Sequence, residues 1–431
     1  MIPSSAQHPL LYRLVVTHYL LSGICFLCLT LMLLFSSGKM FGHYFHPQLL
    51  AITHMAALGW GTMIVFGACY QLLPVILETE LYSYKIGWLS FATFLPGLIL
   101  LVCAFWHFQP GIYMQSGSLL ALSGITLFGW NIFKTTSRAN RHDIHQEFIV
   151  TACIWLISTA VLGTLLVFNF RYAFLPADHL LFLKLHAHMG LTGWFLMLII
   201  GVSSKLIPMF LVSTRQKPLF LTWSYMLINI GLLLFLIDTY LYGLNIWTYA
   251  IAGIVVSGIL SWLIFVFYCI CSRMRKSIDL PMIHSLLSFL MLGIAILVLP
   301  FIIFYQLKAD PKAIHYTTVY GTLLFMGWIS SLILGQTFKT LPFIVWIKKY
   351  QHLAGKSSIP MPGDLYSKQM LQLQFSIFLV FILTFYAGIF LNSQWLVSIG
   401  LACFSIVAMV YLTNLIIVLL HKPQIKGHDT L

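Results

Sequence analysis

Stretch after stretch of this chain runs twenty or more residues with almost no charge. Leu183 to Phe210, LKLHAHMGLTGWFLMLIIGVSSKLIPMF, is one of them. Such runs admit few folds. About 20 apolar residues cross the hydrocarbon of a bilayer as a helix, and lipid offers no partner to a backbone N–H or C=O, so each run must satisfy its own. Twelve spans are expected, at roughly 11–36, 47–77, 83–106, 112–134, 148–170, 180–212, 219–242, 246–271, 282–305, 313–345, 370–391 and 395–420. The expected fold class is therefore all-α, a polytopic membrane protein lying in the lipid bilayer as one membrane domain. The loops are short, and the longest, Lys348 to Gln369, is polar with Gly and Pro. The segment MIPSSAQHPLLYRL lacks a basic start and a small-residue cleavage site, so the first span is expected to be retained.

Composition supports this. Of the 431 residues 60% are hydrophobic and 8% charged, and mean hydropathy is +0.94, more apolar surface than a soluble domain can hide. In a soluble chain a net charge of +13 would point to nucleic acid; here the positive-inside rule accounts for it, and no nucleic-acid partner is expected. With the N-terminus inside, 18 of the 23 lysines and arginines face the cytoplasm, leaving Lys39, Arg171, Lys184, Lys308 and Lys312 outside. Both termini are then cytoplasmic, and an inner cell membrane is the expected location. All eight cysteines fall in spans. Cys25-x-x-Cys28 is followed by Leu29, not the His of covalent haem attachment, and small packing residues are the simpler reading.

Three stretches align without a gap at an offset of 134 residues: HMAALGWGTMIVFGACYQLLP from His54, HMGLTGWFLMLIIGVSSKLIP from His188, and TLLFMGWISSLILGQTFKTLP from Thr322. Gly59–Trp60 recurs as Gly193–Trp194 and Gly327–Trp328. Gly67 recurs as Gly201 and Gly335, and Pro74 as Pro208 and Pro342. The offset covers four spans, so the expectation is three pseudo-equivalent four-helix repeats, about 11–134, 148–271 and 282–420. The bland alternative is that small-residue packing and Pro-ended helices are common in membranes, but chance is a poor explanation for four shared positions at one offset. The repeats diverge where chemistry would sit: His54, His188 and Thr322 are equivalent, as are Gln71, Lys205 and Lys339.

The orientation places His43, His46, His54, His107, His179, His186, His188 and His315 on the outer side. It places His8, His18, His142, His145, His284, His352, His421 and His428 on the inner side. His54 and His188 lie at matching depths, about 10 Å into their helices. Two imidazoles at equal depth on related helices meet the requirement of bis-histidine haem. His186 and His188 are separated by about 200° of helical rotation, so they cannot chelate one ion but can face two adjacent sites. His54, His188, His186 and His315 are the candidate cofactor-binding residues, the first three of them as metal ligands. The competing reading is a core histidine hydrogen-bonded between helices, and His18 and His284 are expected to be structural or interfacial.

The stretch HAHMGLTGWFLMLIIGVSSKLIP, with THMAALGWGTMIVFGACYQLLP close to it, resembles the haem-bearing helices of the heme-copper oxidase superfamily. That resemblance implies twelve helices in three arcs and one haem b, a second being an open question. His54 and His188 would ligate a low-spin haem, and His186 would face a neighbouring centre. Departures limit what carries over. The H-x-H is on the sixth span, where Thr322 occupies the related place on the tenth, and the seventh has no histidine for a copper centre. Asp238 is the one clearly intramembrane acid. The usual copper site is thus not expected, although copper itself stays open, and proton-pumping oxygen reduction is not expected. The chain is also similar to the NnrS-type membrane proteins, linked to haem, copper and the nitric oxide response.

The expected function is haem-based electron transfer, or binding or turnover of a diatomic gas such as nitric oxide or oxygen, alone or with other respiratory-chain subunits. One competing reading is a transporter of copper or another small solute, built on Gln71, Lys205 and Lys339 and on Met55, Met63, Met189 and Met197. Those lysines also suit a snorkelling role and those methionines a core. The other is a structural subunit whose histidines have lost their cofactors.

Overall fold

The computed structural model describes residues 8–139, 143–275, 277–354 and 359–423. Arg141, Lys276, Lys356 and Lys426, counted above in the charge asymmetry, and His142 and His428 lie outside the described residues. The fold is all-helical. Twelve helices are long and apolar enough to cross a membrane: α1 (Pro9–Phe35), α2 (Pro47–Ile76), α3 (Tyr84–Trp106), α4 (Ile112–Thr136), α5 (Ile144–Tyr172), α6 (His179–Leu211), α7 (Leu219–Tyr242), α8 (Trp247–Cys271), α9 (Leu280–Leu307), α10 (Lys312–Leu353), α11 (Lys368–Phe390) and α12 (Gln394–Leu420). Among the described residues no strand forms, and an isolated bridge pairs Ser213 with Arg273.

The helix ends follow local chemistry. Pro47 opens α2, and the His46 side chain accepts from the Gln48 amide at 3.3 Å. Asp143 caps α5 through the Gln146 amide at 3.0 Å, and so α5 starts a turn before its apolar run. Pro74, Pro208 and Pro342 do not end their helices; α2, α6 and α10 all continue past them.

Inside three helices the ladder changes. Met55–Thr62 of α2, Met189–Leu196 of α6 and Leu323–Ile329 of α10 are π-helical. The widened i→i+5 turn weakens the ladder, and side-chain hydroxyls take two of its carbonyls. Ser22 of α1 donates to Trp60 O at 2.9 Å. Ser330 donates to Phe325 O at 2.7 Å.

The chain divides into two compact units. Unit 1 comprises Met1–Leu72, Ile278–Val298 and Ile314–Leu431. In it α11 and α12 form an antiparallel pair, α1 packs on α12, and α1 and α10 contact the π segment of α2. Phe26 stacks on Trp60 at 4.2 Å, Tyr411 meets Trp60 edge-on at 5.3 Å, and Trp60 Nε1 donates to Ser330 Oγ at 3.1 Å. Unit 2 comprises Leu73–Ser277 and Leu299–Ala313. Here α3 pairs with α4, α7 with α8, and α5 with both α4 and α6. The α3–α4 approach depends on Gly97, where a Cβ would stand 2.4 Å from the Ala121 backbone nitrogen.

Each unit contains the same clamp. In unit 2 the Asn131 amide accepts from Ser83 N at 3.1 Å and donates to Ser83 O at 2.8 Å. In unit 1 Asn414 accepts from Ser367 N at 2.9 Å and donates to Ser367 O at 3.1 Å. Ser83 and Ser367 are the N-caps of α3 and α11, so a buried asparagine on the partner helix holds each helix start.

Candidate functional site

His54 lies in unit 1 at the end of the regular first part of α2, one residue before the π segment. Its Nδ1 is 2.8 Å from the Leu50 carbonyl one turn back. A carbonyl only accepts, so Nδ1 carries the proton and the neutral ring has its lone pair on Nε2. His188 lies in unit 2 at the matching point of α6, directly before the second π segment. Its Nδ1 is 2.8 Å from the Lys184 carbonyl, again one turn back, which imposes the same tautomer. Its ring lies against Phe235 of α7, with centroids 4.4 Å apart. Thr322, directly before the third π segment, turns its hydroxyl to Val319 O at 2.9 Å.

His186 points elsewhere. Its Nδ1 is 3.0 Å from the Thr159 carbonyl of α5, and its ring fills the space over Gly163, where a Cβ would fall 2.7 Å from Cε1. His186 and His188 thus meet α5 and α7 respectively, as a two-residue step on a helix requires. His315 is partly buried on α10 in unit 1, edge-on to Tyr316 at 5.8 Å.

All three repeat glycines that begin the Gly–Trp pairs sit against aromatic or sulfur-bearing side chains, Gly327 with a Cβ position 3.1 Å from Met291. A Cβ on Gly193 would stand 2.5 Å from Trp155, and one on Gly59 would stand 3.2 Å from Cys25. The next set receives the preceding helix. A Cβ on Gly67 would fall 2.7 Å from that of His18, on Gly201 2.6 Å from that of Phe148, and on Gly335 2.6 Å from that of His284. His18 and His284 are fully buried inside unit 1. Their place against repeat glycines was not legible in the chain, because no local pattern marks the partner of a small residue.

The polar ring behaves differently in its three positions. Gln71 is buried, Lys205 is exposed, and Lys339 forms an ion pair with Asp279. Met63, Met189 and Met197 are buried, and Met197 Sδ accepts a weak bond from Asn229 at 3.9 Å. None of the eight cysteines forms a disulfide. Among the described residues no three His, Cys, Asp or Glu side chains gather as a metal-holding group. Beyond the spans, His421 lies past the end of α12. Its Nε2 meets the Tyr350 hydroxyl at 2.7 Å, its carbonyl accepts from Lys349, and partial burial and then the Lys349 charge push its pKa below the usual 6.5.

Fold and geometry define a multi-pass helical membrane protein in which two histidines share one local setting. No protein-family model matches the sequence. The chain is similar to an uncharacterized protein of Aquifex aeolicus, 24% identical over 317 residues that cover 73% of this chain and 76% of the relative. It is also similar to a cytochrome c oxidase subunit 1 homolog of Azorhizobium caulinodans, 30% identical over 117 residues. That match covers 20% of this chain and 21% of the homolog, so the chain corresponds to about a fifth of that relative's length.

Proposed function

We propose that this chain is a haem b-binding integral membrane protein related to the heme-copper oxidase superfamily, with His54 and His188 as the histidines that would hold haem. The observation that carries the reading is their shared setting. Each ring is held by a 2.8 Å Nδ1–H bond to the carbonyl one turn back, in the tautomer that an iron ligand needs, and each directly precedes a π segment of eight residues. A ligand histidine fixed through its other nitrogen is the usual way to orient the ring and raise its basicity. Residue chemistry and haem therefore fit. The partial match to an oxidase subunit 1 homolog supports the same direction, as do three π segments spaced like the sequence repeat.

When bound, haem would supply one-electron chemistry and the binding of a diatomic gas such as nitric oxide or oxygen. The chain's own part is to orient the two imidazoles and to keep water from them. Phe235 covers one face of His188. His186 is the candidate for a second haem or an open gas site, and His315 remains a separate candidate ligand within unit 1. The charge asymmetry of the loops supports cytoplasmic termini in an inner membrane.

The test is a dithionite-reduced minus oxidised absorption spectrum of the purified protein. Wild type is expected to show sharp α and Soret bands, and His54→Ala and His188→Ala to lose them while still inserting in the membrane. A flat spectrum from folded wild-type protein expressed with haem supply rejects the reading.

A further inference from the structure

Unit 1 contains a second histidine environment, on which the haem reading does not draw. His284 of α9 and Gln374 of α11 are both fully buried. One amide atom of Gln374 lies 3.4 Å from His284 Nε2 and 3.5 Å from the Leu334 carbonyl. Because the carbonyl only accepts, that atom is the amide nitrogen, and it donates to both. His284 Nε2 is then an acceptor, and the neutral ring carries its proton on Nδ1. This differs from His18, whose Nδ1 meets the Leu14 carbonyl at 2.8 Å. Among the described residues His284 Nδ1 has no protein partner, nor have Gln374 Oε1 and Ser288 Oγ. Ser288 is one turn along α9 from His284, on the same helix face.

Neighbouring polar groups are satisfied. Ser331 donates to the His284 carbonyl at 2.9 Å, and Gln336 donates to Ser285 Oγ at 2.6 Å. The orphaned atoms are thus a local set, walled by Phe375 at 4.8 Å and Phe378 at 6.1 Å from the His284 ring. Each unmet polar atom in such a place costs about 1–3 kcal/mol, and three on adjoining side chains call for a shared partner.

We propose that the α9–α11 interface of unit 1 binds ordered water, bridging His284 Nδ1–H, Ser288 Oγ and Gln374 Oε1. The donor and acceptor count selects the ligand. A cation would face the Nδ1 proton and an anion would face the amide oxygen. Water accepts from Nδ1–H, donates to Oε1, and exchanges either role with the serine hydroxyl. It also gives a histidine sealed from solvent a partner with which to exchange a proton.

Radiolytic hydroxyl labelling of the purified full-length protein tests this, because a bound water generates radicals that attack only adjacent side chains. His284 and Phe378 are expected to label at rates typical of exposed residues. Phe128, equally buried against Trp194 in unit 2, is the dry reference and is expected to label several-fold more slowly. Ser288→Ala, which removes one partner and little volume, is expected to lower labelling at His284 and Phe378 and leave Phe128 unchanged. Labelling of His284 and Phe378 no faster than Phe128, or unaffected by Ser288→Ala, overturns the proposal. Neither outcome depends on haem.

Discussion

At the residue scale, polar side chains inside the bundle act through one or two specific bonds. Asn131 and Asn414 each give both amide ends to the backbone of a capping serine. Replacing either with alanine leaves the part-buried N–H of the capping serine unmet, while its C=O keeps the helix amide one turn on, with an expected loss of about 1–3 kcal/mol per site. Thermal unfolding in detergent checks this, and an unchanged midpoint for both variants rejects the clamps as stabilising. His421 provides the pH dependence. Its folded pKa is below 6.5, so between 6.5 and that lower value the released segment binds more protons than the docked one. Docking of this tail is therefore complete above pH 6.5 and weakens as pH falls. Protection of the amides around His421, after correction for the intrinsic pH dependence of exchange, is expected to fall between pH 7 and pH 5 as the usual value of 6.5 is crossed, and constant protection rejects the assignment. Little of this was legible in the chain. An asparagine in an apolar run signals an internal partner, but only packing identifies the serine 48 residues away.

At the element scale, the π segments set which way the histidines face. Each is a wide turn within a longer helix, so it fixes the rotation of the part before it relative to the part after it. Deleting one residue of Met189–Leu196, such as Leu191, is expected to restore a regular helix and narrow the wide turn beside His188, with the two flanks of α6 left nearly in register because the wide turn accommodates the extra residue. The expected outcome is normal membrane insertion with loss of the haem bands assigned to His188, read by spectrum and expression level together. Retained bands would show that the π segment does not orient the ligand. The repeat glycines are the second element-scale constraint. Gly193→Leu would push atoms into Trp155, already 2.5 Å from a Cβ, and separate α5 from α6; a fall in thermal stability larger than that of Gly253→Leu, where a Cβ meets nothing within 4 Å, is the expected result. Repetition of Gly–Trp was visible in the chain, whereas the π turns that follow His54, His188 and Thr322 were not, since hydrophobic periodicity over eight residues does not distinguish a wide turn from a regular one.

At the scale of the whole molecule, the prediction from twelve candidate spans is that both termini lie on one side of the membrane. Reporter fusions after Lys217, between α6 and α7, are expected to match the termini, and fusions at Asn245, between α7 and α8, to report the opposite side; the reverse pattern rejects this topology. Number and order of the helices were determined by the sequence alone, because a run of about 20 uncharged residues has one backbone solution in lipid, whereas α10 runs on to Leu353, past the expected end at 345 and into the expected loop. The opposite faces of His186 and His188 followed from a two-residue step on any helix. What only the tertiary structure decided is which surface each face meets: α5 for His186, Phe235 of α7 for His188, and Gln374 of α11 for His284. It also divided the chain into two units, taking α1, α11 and α12 together from opposite ends of the sequence. The physical reason is that crossing a bilayer is a local property of each segment. Satisfying a buried polar atom, or fitting a ring over a glycine, depends on side chains that the sequence places tens to hundreds of residues away.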